Sequence, residues 1–261
     1  MITINQDRCI ECMTCVTVCP FTVIQEIDGG PQLAPGKNCI GCMHCSAVCP
    51  TEAILLHGKP AIFLEDIPKL GDDFAGDLKS HILRRRSYRH FSQEAVSRGV
   101  IEEALELASW APSAKNQHTT RWIVIETKEL IDQIMTQILE YVEDTGVSPE
   151  IASEFAAGNN VVMGTAPTLI LAYAEDRSIS PETDTAIAMT TAELYLQARG
   201  VGTCWAGYLK RMCNAVPQIR ALLPEIPEGY SFYGAFMAGY PEQEAYIHIP
   251  ERSRRAQIAW A

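Results

Sequence analysis

Two short runs near the start of the chain hold most of its cysteines. Residues 9–20 read CIECMTCVTVCP and residues 39–50 read CIGCMHCSAVCP, so both have the form C-x2-C-x2-C-x3-C-P. Thiolates are soft ligands that suit iron–sulfur clusters, and two-residue loops let three of them converge on adjacent corners of one cubane. In this pattern the fourth cysteine of a run ligates the other cluster. The spacing therefore predicts iron–sulfur chemistry.

A pair of zinc sites is the alternative interpretation, because C-x2-C also occurs in zinc sites. Zinc knuckles pair two C-x2-C units around one ion and do not need the longer run that ends in proline. The runs use eight of the ten cysteines. The other two, Cys204 and Cys213, lie outside any ligand-spaced run and are interpreted as buried small side chains.

The runs resemble those of bacterial-type ferredoxins with two 4Fe-4S clusters, over about residues 1 to 58. The resemblance implies that the fourth cysteine of each run crosses to the other cluster. The implied ligands are Cys9, Cys12, Cys15 and Cys49 for one cluster, and Cys39, Cys42, Cys45 and Cys19 for the other. A segment this short buries little apolar surface, so the clusters are expected to stabilise its fold.

A basic run, RRRSYRHF at residues 84–91, stands out in an otherwise acidic chain. Guanidinium groups match the geometry of phosphate oxygens, so the run is a candidate anion site. Taken alone, such a run is more often a solvated helix face.

Four segments in order resemble the flavin-dependent nitroreductases, over roughly residues 78 to 261. They are the basic run, APSAKNQH at 111–118, GVGTCW at 200–205, and GYP at 239–241 followed by basic residues. The resemblance implies that FMN is held by Arg85, Arg86, Ser87, Arg89, Pro112, Ser113, Ala114, Asn116, Gly202, Thr203, Cys204, Trp205, Arg252 and Arg254. It also implies a homodimer with flavin at its interface, because residues 112–116 resemble positions that reach FMN from the second subunit.

The chain departs from the family pattern in two places. QHTT at 117–120 replaces the more usual x-Q-P-W, and His248 stands where an arginine often precedes a proline. His118 is a candidate proton donor near the flavin, although a lone loop histidine is usually structural. Trp205 is interpreted equally as packing or as a flavin contact. No catalytic side chain is predicted, because FMN itself carries the chemistry.

Apolar periodicity predicts the elements that position these segments. A helix is predicted around Val100–Ala108 with Ser97 as its N-cap, and further helices are predicted at about 128–143 and 184–199. Strands are predicted at 121–125, 168–173 and 231–240, and residues 22–24 and 53–56 are predicted to form paired short strands. The fold class is α+β, with a ferredoxin-like domain at 1–60, a connector at 61–77 and a larger α/β nitroreductase-like FMN domain at 78–261.

Charge and patterning exclude several classes of function. With 21 basic and 32 acidic residues, the net charge of −11 disfavours nucleic acid and anionic membranes as partners. The most apolar stretch, 161–174, is too short to span a bilayer, and no signal-peptide pattern opens the chain, so a cytoplasmic location is expected. The chain has no dinucleotide-binding fingerprint. NADH or NADPH remains a candidate donor, because nicotinamide stacks directly on FMN in the resembled family.

The two resemblances together predict an oxidoreductase that passes electrons between two 4Fe-4S clusters and FMN and reduces an organic acceptor such as a nitroaromatic. A ferredoxin or NAD(P)H would be its electron donor. One alternative is a ferredoxin-type carrier or sensor with a non-catalytic C-terminal domain. Another is an FMN reductase that acts on an alkene, a quinone or flavin.

Overall fold

The structure is a computed structural model that describes residues 2–61, 67–242, 246, 248 and 256–261. Arg252 and Arg254, which the sequence predicts to bind FMN, lie outside the described residues. The chain divides into two compact units. One is Met1–Asp72 with Lys115–Gln117, and the other is Asp73–Ala114 with His118–Ala261.

The N-terminal unit contains two antiparallel strand pairs and two short helices. Its elements are β1 (Ile2–Ile4), α1 (Thr14–Val18), β2 (Ile24–Ile27), β3 (Gly30–Leu33), α2 (His44–Ala47) and β4 (Ile54–Leu56). β1 pairs with β4, and β2 pairs with β3. Its small core contains Ile2, Ile24 and Ile54 together with Cys15 and Cys45.

The predicted pairing between residues 22–24 and 53–56 is wrong, because these stretches belong to different strand pairs. Asp28 and Gly29 form a two-residue connection with φ values of 52° and 82°. Two such positive φ values favour a tight hairpin, and an Asp-Gly pair adopts them readily. β2 therefore pairs with the strand that follows it directly.

The larger unit contains seven helices and four strands within its described residues. The helices are α3 (Phe74–Arg84), α4 (Arg98–Ala108), α5 (Lys128–Thr145), α6 (Glu150–Ala156), α7 (Pro181–Ala198), α8 (Gly207–Ala215) and α9 (Pro217–Leu222). The strands are β5 (Arg121–Ile125), β6 (Thr168–Glu175), β7 (Gly202–Trp205) and β8 (Tyr230–Gly239). The predicted mixture of helix and sheet is confirmed.

The four strands form one antiparallel sheet in the order β5-β6-β8-β7, with a core on each face. Successive side chains of a strand point to opposite faces. Leu169 and Leu171 of β6 accordingly join the core that contains α5 and α8, whereas Ile170 and Ala172 join the core that contains α4 and α7. β6 is therefore buried on both sides, and α7 packs against one face of the sheet.

Three elements of this unit differ from the sequence predictions. α3 begins at Phe74, inside the stretch predicted as a connector, because the Asp73 side chain accepts a hydrogen bond from the Gly76 N–H at 3.2 Å and caps the helix. α7 begins at Pro181, a residue that suits the first helical turn. Gly202 opens β7, a strand that pairs with β8 in a stretch where no strand was predicted.

No helix within the described ranges is both long enough and apolar enough to cross a membrane.

Candidate functional sites

The N-terminal unit contains two cavities, and each is lined by cysteines from both runs. Cys9, Cys12, Cys15 and Cys49 line one cavity, and Cys39, Cys42, Cys45 and Cys19 line the other. We call them the first and second thiol cavities. The grouping matches the two crossed ligand sets that the ferredoxin resemblance implies. All of these cysteines are free thiols, so each cavity offers the four soft ligands that a 4Fe-4S cluster needs.

The backbone around both cavities follows the same local pattern. α1 begins after Met13 with φ 60°, and α2 begins after Met43 with φ 62°, so each helix follows a left-handed turn. The Val23 N–H donates to Cys19 Sγ and the Ala53 N–H donates to Cys49 Sγ, both at 3.2 Å. Backbone donors of this kind stabilise a thiolate, the form that binds metal.

The cavity thiols differ in pKa according to burial and donors. Burial raises the pKa of Cys45 to about 11 and also raises the pKa of Cys15. Burial acts in the same direction on Cys19 and Cys49, but backbone N–H donors outweigh it and lower the pKa of both thiols. The side-chain hydroxyl of Thr14 lowers the pKa of Cys12.

In the larger unit, a buried carboxylate of α7 gathers several residues of the predicted FMN site. Glu193 Oε1 lies 3.3 Å from Arg85 Nη1 and accepts a hydrogen bond from the Thr203 hydroxyl at 3.3 Å. Its other oxygen accepts a hydrogen bond from the Trp205 indole N–H at 3.1 Å. A buried charge needs such partners, and Glu193 has donors from the basic run and from β7.

One helical turn later, Gln197 joins the same residues. Its amide nitrogen donates to the Arg86 carbonyl at 2.9 Å and to Thr203 Oγ1 at 2.8 Å, and its amide oxygen accepts from the Arg86 N–H. The Tyr88 N–H donates to the Thr203 carbonyl at 3.0 Å. Arg85, Glu193, Gln197, Thr203 and Trp205 are called the α7 polar network below. It fixes the basic run against β7.

The arginines of the basic run are not equivalent. Arg86 donates to the carbonyls of Leu83, Arg85 and His248, so its donors are directed to the backbone. Arg85 is partly exposed beside Glu193, and Arg89 makes a 3.4 Å hydrogen bond to the Ser87 carbonyl. A guanidinium carries five donors. Among the described residues, these contacts use one N–H donor of Arg85 and one of Arg89, so both side chains have further donors for an anionic ligand.

The predicted residues of β7 have different environments. Gly202 packs so closely that a Cβ atom there would lie 2.8 Å from the Tyr88 ring. Cys204 is buried, and burial raises its pKa. Trp205 is 39% exposed and packs edge-on against Phe236, with ring centroids 5.3 Å apart. Trp205 thus combines the predicted packing role with a surface that a flavin could contact.

Residues Pro112, Ser113 and Ala114 lie near the other end of α7. The Ala114 N–H donates to Asp184 Oδ1 at 3.0 Å, and the Ser113 hydroxyl oxygen accepts from the His118 N–H at 3.0 Å. Asp184 and Glu193 are nine residues apart on one helix, which corresponds to about 13 Å along its axis. Pro112 and Ser113 line a cavity together with Asp184, and Ala114 contacts Asp184 directly, so this segment lies at a different part of α7 from the basic run.

Asn116, the last predicted FMN residue of this segment, groups with the N-terminal unit. Its amide N–H donates to the Ile40 carbonyl at 3.1 Å.

Sequence reasoning missed Asp184, Glu193 and Gln197. Asp184 and Glu193 are buried, and Asp184 Oδ2 has no hydrogen-bond partner among the described residues. The sequence does contain a signal for Glu193 and Gln197. Glu193 and Gln197 are polar residues four positions apart in a helix with buried neighbours at Met189 and Leu196, just before GVGTCW. Polar residues on a buried helix face indicate partners elsewhere in the chain.

Comparison with known proteins agrees with both resemblances. A family model described as the nitroreductase family matches residues 82–240, and a 4Fe-4S dicluster domain model matches residues 8–54. A protein of Archaeoglobus fulgidus, provisionally named NADH dehydrogenase/NAD(P)H nitroreductase, is 26% identical over 163 residues, which cover 62% of this chain and 84% of that protein.

Two crystal structures share the fold of the larger unit. A Bacteroides fragilis nitroreductase with bound FMN has a TM-score of 0.61 and 20% identity, and the match covers 70% of this chain and 98% of that one. A Desulfitobacterium hafniense nitroreductase with bound FMN has a TM-score of 0.58 and 22% identity, with the same coverage of both chains. At these identities the likeness establishes the fold.

Proposed function

Because the chain belongs to the nitroreductase family and carries a 4Fe-4S dicluster domain, we propose that it is an FMN-dependent oxidoreductase. It passes electrons between two 4Fe-4S clusters and FMN to reduce an organic acceptor such as a nitroaromatic compound. In this proposal residues 1–60 bind the clusters, residues 78–261 bind FMN, and residues 61–77 connect these two domains.

One observation carries the proposal. A single chain holds two cavities with four thiols each and, in its other unit, the α7 polar network beside two arginines with available donors. A carrier or sensor with a non-catalytic C-terminal domain would not require a buried carboxylate to orient Arg85. The network therefore favours the enzyme over that alternative.

When bound, the 4Fe-4S clusters supply one-electron transfer and FMN supplies two-electron transfer to the acceptor. The chain's own residues bind and orient these groups. The two sets of four thiols would hold the clusters, and the guanidinium groups of Arg85 and Arg89 would bind the FMN phosphate. Glu193 would keep Arg85 and the Trp205 indole in place, so that binding FMN costs little side-chain ordering.

We also propose a homodimer. Phe74, Leu78 and Ile82 are exposed at helical spacing on α3, and no residue of α3 is buried among the described residues. An apolar helix face of this kind favours a protein partner. Ala114 contacts α7 about 13 Å from Glu193. A second subunit would allow the segment around Ala114 to complete a flavin site whose phosphate end is formed by the basic run.

The proposed donor is a ferredoxin or NAD(P)H, and the proposed location is the cytoplasm. All ten cysteines are free thiols in the structure. A reducing compartment keeps thiols available for clusters.

An anaerobic absorption titration of the purified full-length protein tests the function. NADH or NADPH is added first, and a chemically reduced ferredoxin is added to a separate sample, while the flavin and iron–sulfur bands are followed. Bleaching of both chromophores by either donor, reversed by a nitroaromatic compound, is the expected result. Purified protein without a flavin band would contradict the enzyme and favour the carrier.

A further inference from the structure

The first thiol cavity receives hydrogen bonds from side-chain hydroxyl groups. Thr14 Oγ1 donates to Cys12 Sγ at 3.4 Å. Thr51 Oγ1 lies 3.8 Å from Cys49 Sγ, and once Cys49 is a metal-bound thiolate only the hydroxyl has a proton to donate. Both contacts come in addition to backbone N–H donors such as that of Ala53.

Among the described residues, the second thiol cavity has no equivalent hydroxyl donors. The two runs are offset by 30 residues, so Thr14 corresponds to His44 and Thr51 corresponds to Phe21. In the described part of the chain, no side-chain hydroxyl hydrogen-bonds a thiol of the second cavity, whereas the backbone contacts are matched. The Glu11 N–H donates to Cys9 Sγ at 3.4 Å, and the Gly41 N–H donates to Cys39 Sγ at 3.3 Å.

Where the two helices begin, the runs differ in side chain and not in backbone. Met13 has φ 60° and ψ 3°, and Met43 has φ 62° and ψ 6°, so the residues that follow them enter their helices in the same way. A threonine at position 44 would place its hydroxyl relative to Cys42 as Thr14 places its hydroxyl relative to Cys12.

Hydrogen bonds to the sulfur atoms of an iron–sulfur cluster help set its reduction potential. One-electron reduction adds a negative charge to the cluster, and a donor to thiolate sulfur becomes stronger as that charge increases. A donor therefore stabilises the reduced form more than the oxidised form and raises the potential.

On the basis of the proposed function, we propose that Thr14 and Thr51 are tuning residues that raise the reduction potential of the cluster in the first thiol cavity. The cluster in the second cavity lacks this contribution. The hydroxyl groups thereby make the two clusters of one chain unequal electron acceptors, although their cysteine spacing and backbone are alike.

Charged groups also lie near the first thiol cavity, but the wild type and its threonine variants carry the same charged groups. Glu11 is part of the first cysteine run, where the second run has Gly41, and Arg8 lies 3.6 Å from Glu52. A carboxylate at this place acts on the potential in the opposite direction to a hydroxyl donor. Variants that alter only threonine hydroxyl groups leave this background constant.

The test is a redox titration of the full-length protein, with both clusters followed by electron paramagnetic resonance. Thr14→Val and Thr51→Val remove the hydroxyl groups at nearly constant side-chain shape, and Thr14→Ser restores the donor. Thr17→Val is the matched control, because the Thr17 hydroxyl donates to the Met13 carbonyl on the same helix. We expect one of the two midpoint potentials to fall in Thr14→Val and in Thr51→Val, and to fall further in the double variant. Thr14→Ser and Thr17→Val should leave both potentials near their original values.

A reciprocal experiment adds a donor to the second cavity. His44→Thr is compared with His44→Val, which removes the imidazole without adding a hydroxyl. The other midpoint potential, the one unmoved by Thr14→Val, should be higher with threonine than with valine. This comparison tests the proposal even if a variant at position 14 fails to assemble its cluster.

Unchanged potentials in the Thr14→Val/Thr51→Val double variant would overturn the inference, and so would an equal shift of both potentials. Failure of the proposed function has a different signature. Wild-type protein that assembles fewer than two clusters contradicts the two-cluster proposal before any variant is compared.

Discussion

The N-terminal thiol cavities and the α7 polar network bring their groups together in different ways. Each thiol cavity takes three of its four cysteines from seven consecutive residues and its fourth from the other run. The α7 polar network joins Arg85 to Glu193, which are 108 residues apart in the chain. The thiol sites are therefore specified mainly by local spacing, whereas the network exists only when α7, β7 and the basic run are packed.

This difference predicts different responses to mutation. Loss of one thiol should remove one cluster and leave the larger unit intact, because the larger unit has its own core on both faces of its sheet. Loss of a residue in the α7 polar network should affect both stability and flavin binding, because under the proposed function the same contacts support both.

The largest effect is expected for Cys19→Ala. Cys19 lines the second cavity with three cysteines of the other run, so its loss should prevent assembly of that cluster. Iron content should fall by about half, as expected for loss of one of two clusters, while the flavin content stays unchanged. Cys213→Ala is the control, because this buried cysteine lies in the core of the larger unit. Full iron content in Cys19→Ala would refute the crossed ligand set.

A strong effect on flavin binding is expected for Arg85→Ala. Charge-assisted hydrogen bonds contribute about 1.5 to 3 kcal/mol, so the Kd for FMN should rise by about tenfold to a hundredfold. Fluorescence titration of the apoprotein with FMN measures this change. Arg98→Ala, which removes an exposed arginine paired with Glu126, is the control and should leave the Kd unchanged. Equal Kd values in both variants would contradict the assignment of Arg85.

A moderate effect is expected for Glu193→Gln. The amide still accepts from the Trp205 indole but no longer carries the charge that pairs with Arg85. Because Arg85 is partly exposed, the loss in the free energy of unfolding should be about 1 kcal/mol, with a fall in Tm of about 2 to 4 °C.

Thermal unfolding with and without FMN measures the effect of Glu193→Gln. Glu103→Gln removes an exposed ion pair with Arg199 and should leave the Tm nearly unchanged. A Glu193→Gln protein as stable as Glu103→Gln, with native affinity for FMN, would show that the network does not position Arg85.

The smallest effect concerns the pH dependence of stability that comes from Cys213, which lies outside the thiol cavities. Burial raises the pKa of Cys213 to about 12, whereas an unfolded cysteine ionises at its ordinary value near 9. The folded state therefore keeps a proton that the unfolded state releases, so this contribution to stability is present below pH 9 and is lost as the pH rises toward 12. When the pH rises from 8 to 9, the urea midpoint should therefore fall less in Cys213→Ala than in the wild type, by an amount that corresponds to about 0.4 kcal/mol. Parallel changes in both proteins would contradict this.

Much of the secondary structure could be predicted because its signals are local. The helix at Arg98–Ala108 follows from apolar spacing, and β5 follows from the RWIVI run. The wrong pairing of residues 22–24 with 53–56 has a different origin. Both stretches are short and apolar, and only the Asp28-Gly29 connection decides which strand is the partner.

The two thiol runs and the family of the larger unit could be read from the chain without its fold, because cysteine spacing and short motifs are properties of consecutive residues. Only packing brings Glu193 and Gln197 to the basic run and brings Ala114 to another part of α7. These contacts depend on the packing of a helix against segments 70 to 111 residues away in the chain. Local periodicity predicts that such a helix exists, but only the packed sheet determines which polar groups it brings together.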